Sequence, residues 1–334
     1  MSPTTTTTTT PTSFSSFIQS ILPDASRSAL ANEVLPQLLQ TLPHIAHALR
    51  TTAVSRAGSA NTFGDDQLNV DVLAENLIRD TIANCPAIAT ASSEEDPVEK
   101  PSRAASAPRT EEYTLAFDPL DGSSIIGPNW TVGTIIGIWD GRTAVSESTA
   151  PRTQQVAAIL GVLGPRTTAV VAVRVPGSGA APACFEVGVD DGGEISVVRP
   201  QVLLDSQPKT RYFAPANMRA AAENERYLEL INYYIANKYT LRYSGGLVPD
   251  VFHALVKGHG VYTSPVTSKS PAKLRRLYEL APIALIVECA GGAAIDSADG
   301  SHVLDKPIRD TDERGGLVCG NKDEVELVRS KLLL

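Results

Sequence analysis

The sequence predicts an α/β fold built in layers. Three observations support this. Apolar runs of strand length recur through the first two thirds of the chain, as in YTLAFD, TVGTIIGIWDG and TTAVVAVRV. Two stretches of helical periodicity precede them. Beyond residue 210 strands and helices alternate, so both halves mix the two element types. With 334 residues, 43% of them hydrophobic, the chain is long enough for a large core or two domains. No internal repeat is visible.

The elements follow in order. Residues 1–13, MSPTTTTTTTPTS, read as a disordered tail, a threonine tract with prolines. This segment lacks the basic start and apolar stretch of a secretory signal. From Ser26 to Thr51 the pattern is helical, with Leu35, Leu38, Leu39, Leu42, Ile45, Ala46 and Leu49 at threes and fours. Pro36 and Pro43 are expected to break or kink it. His44 and His47 lie there one turn apart; with no further ligand nearby in sequence they read as ordinary surface or core residues. A second helix is expected over Val70–Asn84. PAIATASSEED is a short strand running into Glu94, Glu95 and Asp96, and residues 97–112 form an exposed loop. Strands follow at Tyr113–Asp118, at Thr131–Gly141, and in TTAVVAVRV, CFEVGV and ISVVRP. Pro200–Thr210 is a plausible boundary, dividing the chain into 14–203 and 204–334. KTRYFAPAN then reads as a strand, AAENERYLELINYYI as a helix, KYTLRYSGG as a strand and PDVFHALVKG as a helix. KLRRLYELAPIALIVECAGG reads as a longer helix, GGLVCG as a last strand, and the C-terminus as a helix.

Composition excludes several functions. The net charge of −8 leaves no global basic surface for nucleic acid. No apolar run of about 18 residues appears, so no membrane span is expected. Cys85, Cys184, Cys289 and Cys319 are far apart with no CxxC pair, which fits unpaired thiols in a reducing compartment better than a zinc site. GSGAA, Gly177–Ala181, lacks the GxGxxG pattern of a dinucleotide site.

FDPLDGSSII, Phe117–Ile126, is the most informative stretch. Asp118 and Asp121 follow an apolar strand, where burying two carboxylates is costly without a positive partner. Pro119 restricts Asp118 to extended geometry and Gly122 permits a tight turn. Gly122, Ser123 and Ser124 leave backbone N–H groups free to cradle an anion. Carboxylates and an anion share a site comfortably when cations lie between them. Oxygen ligands without Cys or His select hard ions, Mg²⁺ above all, and such ions between carboxylates and phosphate are the apparatus of phosphoryl hydrolysis.

FDPLDGSS, SSEED and KLRRLYE together resemble the fructose-1,6-bisphosphatase and inositol-phosphatase group of Mg²⁺-dependent phosphatases. FDPLDGSSIIGPNWTVGTIIGIW, QVAAILGVLGPRTT and LINYYIANKYTLRYSGGLVPDV are similar to its sedoheptulose-bisphosphatase branch. The resemblance runs from about Thr62 to Leu327. It implies a five-layer α-β-α-β-α sugar phosphatase fold with mixed sheets. It also implies hydrolysis of the 1-phosphate of sedoheptulose 1,7-bisphosphate by a metal-activated water. The alternatives are a fructose-1,6-bisphosphatase, an enzyme accepting both sugars, or a catalytically silent scaffold. The scaffold is disfavoured because every matching carboxylate is present.

Residue by residue, the resemblance implies metal ligation by Glu94, Glu95, Asp118, Asp121, Glu279 and the carbonyl of Leu120. Asp65, Asp71 and Glu95 match the carboxylates that position and deprotonate the attacking water. Asp121, Gly122, Ser123 and Ser124 match contacts to the scissile phosphate. Asn217, Arg242, Tyr243 and Lys273 match sugar and distal-phosphate contacts. Glu288 is a candidate by composition, but the family pattern puts the ligand at Glu279. Ala220 and Thr263 replace two tyrosines of the fructose enzymes, and Arg219 is a candidate for added charge there. SRAGSANTFGDDQ lacks the cysteine pair of the chloroplast enzymes, so thioredoxin-type control is not expected. Two or three Mg²⁺ per subunit, with Mn²⁺ as a substitute, a homodimer or homotetramer, and a cytoplasmic location are the remaining expectations.

Overall fold

The computed structural model describes residues 13–60, 66–103, 109–205 and 207–333. The N-terminal half begins with α1 (Phe14–Ile21), α2 (Leu35–Thr51), a hairpin of β1 (Arg56–Ala60) and β2 (Asp66–Leu68), and α3 (Asn69–Ala83). It continues through β3 (Ile88–Ser93), β4 (Lys100–Pro101), β5 (Tyr113–Asp121), the short α4 (Ser123–Ile126), β6 (Val132–Asp140), β7 (Gln155–Leu163), β8 (Thr167–Val173), β9 (Ala183–Val189) and β10 (Ile195–Arg199). The C-terminal half holds β11 (Tyr212–Pro215), α5 (Glu225–Ala236), β12 (Thr240–Leu241), α6 (Leu247–Lys257), β13 (Val261–Ser264) and β14 (Leu274–Arg275). It closes with α7 (Ala281–Cys289), β15 (Ala293–Ile295), β16 (Arg314–Gly315), β17 (Leu317–Gly320) and α8 (Lys322–Leu332).

Two sheets carry the architecture. The first has eight strands in the order β10-β9-β8-β7-β6-β5-β3-β4, antiparallel except for the β3–β5 pair. The second has five, β12-β11-β13-β17-β15, and mixes parallel and antiparallel pairs. Helices α1–α3 cover the outer face of the first sheet, α6 and α7 fill the space between the sheets, and α5 and α8 cover the second. This is the layered, mixed-sheet fold the sequence implied. Because the first sheet is covered on both faces, β7 and β8 are buried throughout and read as continuous apolar runs instead of alternating ones. The edge strand β10 keeps one side toward solvent and alternates.

The structure differs from the sequence expectations at identifiable places. Helix α2 runs unbroken through Pro43. Pro36 falls in its first turn, directly after a wide helical turn, Leu30–Val34, that runs into α2 without a break. That turn lies at the carbonyls with which a proline ring would collide in a regular helix. The sequence does not mark β7 and β13 as strands: QVAAILGVL, rich in Ala and Leu, reads equally as a buried helical segment, and VYTS is only four residues long. The long helix expected from Lys273 instead starts with strand β14 and a wide turn, Arg276–Leu280, before α7 begins. That wide turn carries Glu279.

Two glycines set how closely the layers approach. A Cβ on Gly133 of β6 would lie 2.2 Å from Val248 Cγ1 of α6 and 2.6 Å from the carbonyl oxygen of Gly161. A Cβ on Gly161 of β7 would lie 2.6 Å from Leu42 Cδ2 of α2. The sheet is thus gripped between α2 and the start of α6 where it has no side chains. Among the described residues no helix is long and apolar enough to cross a membrane. Gly133→Ala should cost about 1–3 kcal/mol through overpacking, read as a lower urea midpoint with unchanged slope.

Candidate active site

Strand β5 ends in an irregularity: Asp118 pairs with Ile135 and Asp121 with Gly133, and the register shifts between them. The shift lets both carboxylates face the same region. Asp118 Oδ1 accepts the Leu120 N–H at 3.0 Å. Asp121 Oδ2 accepts the Val248 N–H at 2.7 Å, at the N-terminus of α6, where orphan donors and the helix dipole favour an anion. The close approach at Gly133 makes this bond possible. Glu279 enters from the wide turn before α7, and its Oε2 accepts the Arg275 N–H at 2.5 Å.

Asp118, Asp121 and Glu279 each offer an oxygen within 4.8 Å of the others, and all three are buried. Burial first, then the charge of Glu94, pushes Asp118 well above the usual carboxylate range, with Asp121 and Glu279 adding to it. Burial and the same glutamate push Glu279 well up. Asp121 rises to about 7, mainly from burial and partly offset by the Val248 N–H. Three carboxylates in so small a volume repel unless a cation sits among them.

Glu94 is 20% exposed and its carboxylate is ion-paired with the buried Arg275. Asp71 lies in the first turn of α3. Its Oδ2 accepts the Leu68 N–H at 2.8 Å, while its Oδ1 is buried without a hydrogen-bond partner. Burial raises it to about 6, and Glu94 contributes. Glu95 lies outside the three-carboxylate group, lining a neighbouring cleft of about 500 Å³ with Glu75, Arg79, Asp96 and Lys100. Leu120 sits buried between the two aspartates. Asp65 lies outside the described residues. Gly122 adopts φ +100°, a conformation that L side chains resist. A Cβ there would also press within 3.2 Å of Val132 Cγ1. Ser123 and Ser124 open α4 and are exposed.

The expected distal contacts come from the second half. Asn217 has φ 52° and its Nδ2 donates to the Pro265 carbonyl at 3.1 Å. Partial burial raises the Tyr243 hydroxyl, and the Asn217 backbone N–H and the charge of Arg219 oppose that shift. Arg242 lies 5.6 Å over the Tyr212 ring, beside the end of edge strand β12. Lys273 is exposed, just before β14. Ala220 and Thr263, where the fructose enzymes carry tyrosines, are buried.

The fructose-1-6-bisphosphatase N-terminal domain family matches residues 19–189, and the C-terminal domain family matches residues 206–332. The chain belongs to the fructose-1,6-bisphosphatase family. It is a phosphatase of that family. A chloroplastic sedoheptulose-1,7-bisphosphatase of Chlamydomonas reinhardtii is 38% identical over 91% of this chain and 74% of its own length. A class 1 fructose-1,6-bisphosphatase of Syntrophotalea carbinolica is 33% identical over 88% of this chain and 86% of its own. A Toxoplasma gondii structure assigned as a sedoheptulose-1,7 bisphosphatase superposes with a TM-score of 0.84 at 37% identity, covering 96% of this chain and 98% of that one. Leishmania major fructose-1,6-bisphosphatase in holo form gives 0.80 at 26% identity, covering 96% and 99%.

In this phosphatase the donor set fits a hard divalent ion. Asp118, Asp121 and Glu279 are oxygen donors gathered at one point, and Asp71 Oδ1 is a buried oxygen left without a partner. Glu288 does not belong to this set. Arg152 holds it bidentately at 2.7 and 3.0 Å and Arg174 reaches it at 2.9 Å, away from the carboxylate group. His44 and His47 are exposed on α2.

Sequence reasoning missed two residues here. Arg275 brings a positive charge to Glu94 and a backbone donor to Glu279. Its neighbour Arg276 turns to Glu313 at 2.6 Å, and nothing in the string KLRR tells the two apart. Asp250 accepts the Ser244 N–H at 2.7 Å and the Gly245 N–H at 3.4 Å, and burial raises it to about 6. It fixes the turn that delivers α6 to Asp121. An aspartate directly after Pro249 in a helix's first turn was the available signal.

Replacing Asp118 by Asn, or Glu279 by Gln, should stabilise the ion-free protein by about 1 kcal/mol, roughly 1–2 °C in Tm for a chain of this length, by removing a buried like charge. The same variants should lose the Tm increase that Mg²⁺ gives the wild type; calorimetry with EDTA and with Mg²⁺ checks both. All four cysteines are free and buried, and burial pushes Cys85 up to about 11 and Cys319 up to about 12. Such thiols are inert, so phosphatase activity after dithiothreitol and after oxidised glutathione should agree.

Proposed function

We propose that this phosphatase removes the 1-phosphate of sedoheptulose 1,7-bisphosphate, with Mg²⁺ as the working ion. The observation that carries the reading is the buried group of Asp118, Asp121 and Glu279 beside the backbone turn at Gly122–Ser124. Asp118, Asp121 and Glu279 would hold divalent ions, which when bound would neutralise the carboxylates, polarise phosphoryl oxygens and lower the pKa of water. Asp118, Asp121, Glu279 and Glu94 hold the charge, with Glu95 and the Leu120 carbonyl as further ligands. The Gly122, Ser123 and Ser124 backbone orients the 1-phosphate. Asp71, with one carboxylate oxygen unpartnered, takes the proton of the attacking water together with Glu95 and Asp65. Mn²⁺ substitutes in the same oxygen set.

Asn217, Arg219, Arg242, Tyr243 and Lys273 receive the sugar and the distal phosphate. Residues 14–203 act as the domain that carries most of the ion ligands, and 204–334 as the sugar-phosphate domain, which adds Glu279. Leu241 and Tyr243 are exposed on either side of Arg242, an apolar edge whose exposure supports a homodimer or homotetramer. Four free thiols support a reducing, cytoplasmic setting. Two features favour the seven-carbon substrate over fructose 1,6-bisphosphate. Relatives named sedoheptulose-1,7-bisphosphatase reach 37–39% identity, whereas the fructose enzymes reach 32–34%. Ala220 and Thr263 also remove two phenolic hydroxyls from the distal site.

Phosphate release over a panel of sugar bisphosphates tests this. Mg²⁺-dependent kcat/KM should be at least about tenfold higher for sedoheptulose 1,7-bisphosphate than for fructose 1,6-bisphosphate, or about 1.4 kcal/mol. Equal values would make the enzyme dual-specific, and the reverse ratio would make it a fructose bisphosphatase.

A further inference from the structure

We propose that Glu75 and Arg79 are positioning residues for the divalent-ion site: together they hold the turn that presents Glu94 and Glu95, and so set the affinity for the ion. The inference rests on the reading of those two glutamates as ligands.

Asp71, Glu75 and Arg79 recur at intervals of four along α3, so they share one helix face. Asp71 lies at the ion-site end of that face. The other two reach the end of β3. Ser93 Oγ is the junction: it accepts the Asp96 N–H at 3.0 Å and donates to Glu75 Oε1 at 2.9 Å. Arg79 Nε donates to the same Glu75 oxygen at 2.7 Å, its Nη1 to the Ala91 carbonyl at 3.3 Å and its Nη2 to Ser93 Oγ at 3.4 Å. The turn is closed by Ser93 N–H to the Asp96 carbonyl at 3.0 Å. Glu94 and Glu95 are its two middle residues.

Arg79 also reaches the second ligand-bearing strand. Its guanidinium carbon lies 5.3 Å from the centroid of the Phe117 ring, and Phe117 precedes Asp118. The Phe117 carbonyl accepts the Glu94 N–H at 3.0 Å. One guanidinium therefore spans β3 and β5 at the point where both deliver carboxylates. An exposed Glu–Arg pair four apart on a helix is worth only about 0.3–0.5 kcal/mol. This pair is mostly buried, 12% and 24% exposed, and its remaining bonds all go to the turn and strand that carry ligands. Partners of this kind typically change ion affinity by about 10–100-fold.

The test is Mn²⁺ binding to the full chain without substrate, followed by electron paramagnetic resonance, with Mg²⁺ half-saturation of phosphate release alongside. Glu75→Ala, Arg79→Gln and Ser93→Ala should each weaken Mn²⁺ binding about tenfold or more. Glu75→Gln keeps the oxygen that Ser93 and Arg79 use and should restore binding to within about twofold of wild type. A purely structural role would lower Tm and leave the affinity of folded protein unchanged; that result overturns the proposal. If the first two variants do not fold, Ser93→Ala decides alone, since it removes one hydroxyl. Glu94→Gln separates the two readings. If it leaves Mn²⁺ affinity intact, the ligand assignment fails. If it weakens binding while Ser93→Ala and the folded α3 variants do not, the positioning role fails.

Discussion

Mutual repulsion among buried carboxylates is the constraint around which this structure is arranged. Asp118, Asp121 and Glu279 are brought within reach of one another against both desolvation and like charge. What tethers each is a backbone N–H from its surroundings: Leu120 for Asp118, Val248 for Asp121 and Arg275 for Glu279. The Arg275 guanidinium adds a full positive charge at Glu94. These donors favour the ionised forms but do not neutralise the group, which leaves it ready for a cation.

Delivering those donors explains much of the fold. Asp121 is served by the first turn of α6, and α6 reaches it because Gly133 has no side chain to hold Val248 away. Asp250 then fixes the Ser244–Gly245 turn from which α6 starts. Glu279 is served from a wide turn, a helical irregularity of the kind often found at functional positions. The middle layer of helices is therefore both core and ligand support. Its packing against two sheets gives the carboxylates a rigid frame that a loop would lack.

Function follows from the division of labour between the halves. The first sheet ends in the carboxylates and the Gly122–Ser124 turn, a region built to gather charge. The second half adds Glu279 to that charge and brings Asn217, Tyr243 and Arg219 near one another. Between the halves, Glu288 is locked to Arg152 and Arg174, an ion-pair group that ties α7 to the first sheet away from the carboxylates.

Local chemistry made part of this legible in the sequence. Layered α/β architecture shows in the alternation of apolar runs and helical periods, because each element's burial pattern is written along its own residues. The aspartate pair also shows, because Pro119 and Gly122 constrain the backbone wherever they occur, and FDPLDGSS carries the family resemblance. Other features depended on tertiary structure. The family pattern already preferred Glu279 to Glu288, but that Arg275 and not Arg276 faces Glu94, and that Val248 supplies a donor 127 residues from Asp121, are decided by packing across layers. Strands β7 and β13 stay hidden because an apolar run rich in Ala and Leu, or one of only four residues, does not by itself separate strand from helix. Glu95 adjoins Glu94 in sequence, and only the turn at Ser93–Asp96 decides that it lines the cleft beside the carboxylate group, with Glu75 and Arg79. A side chain's type is a property of the sequence, whereas its neighbours are set by contacts between segments far apart in the chain.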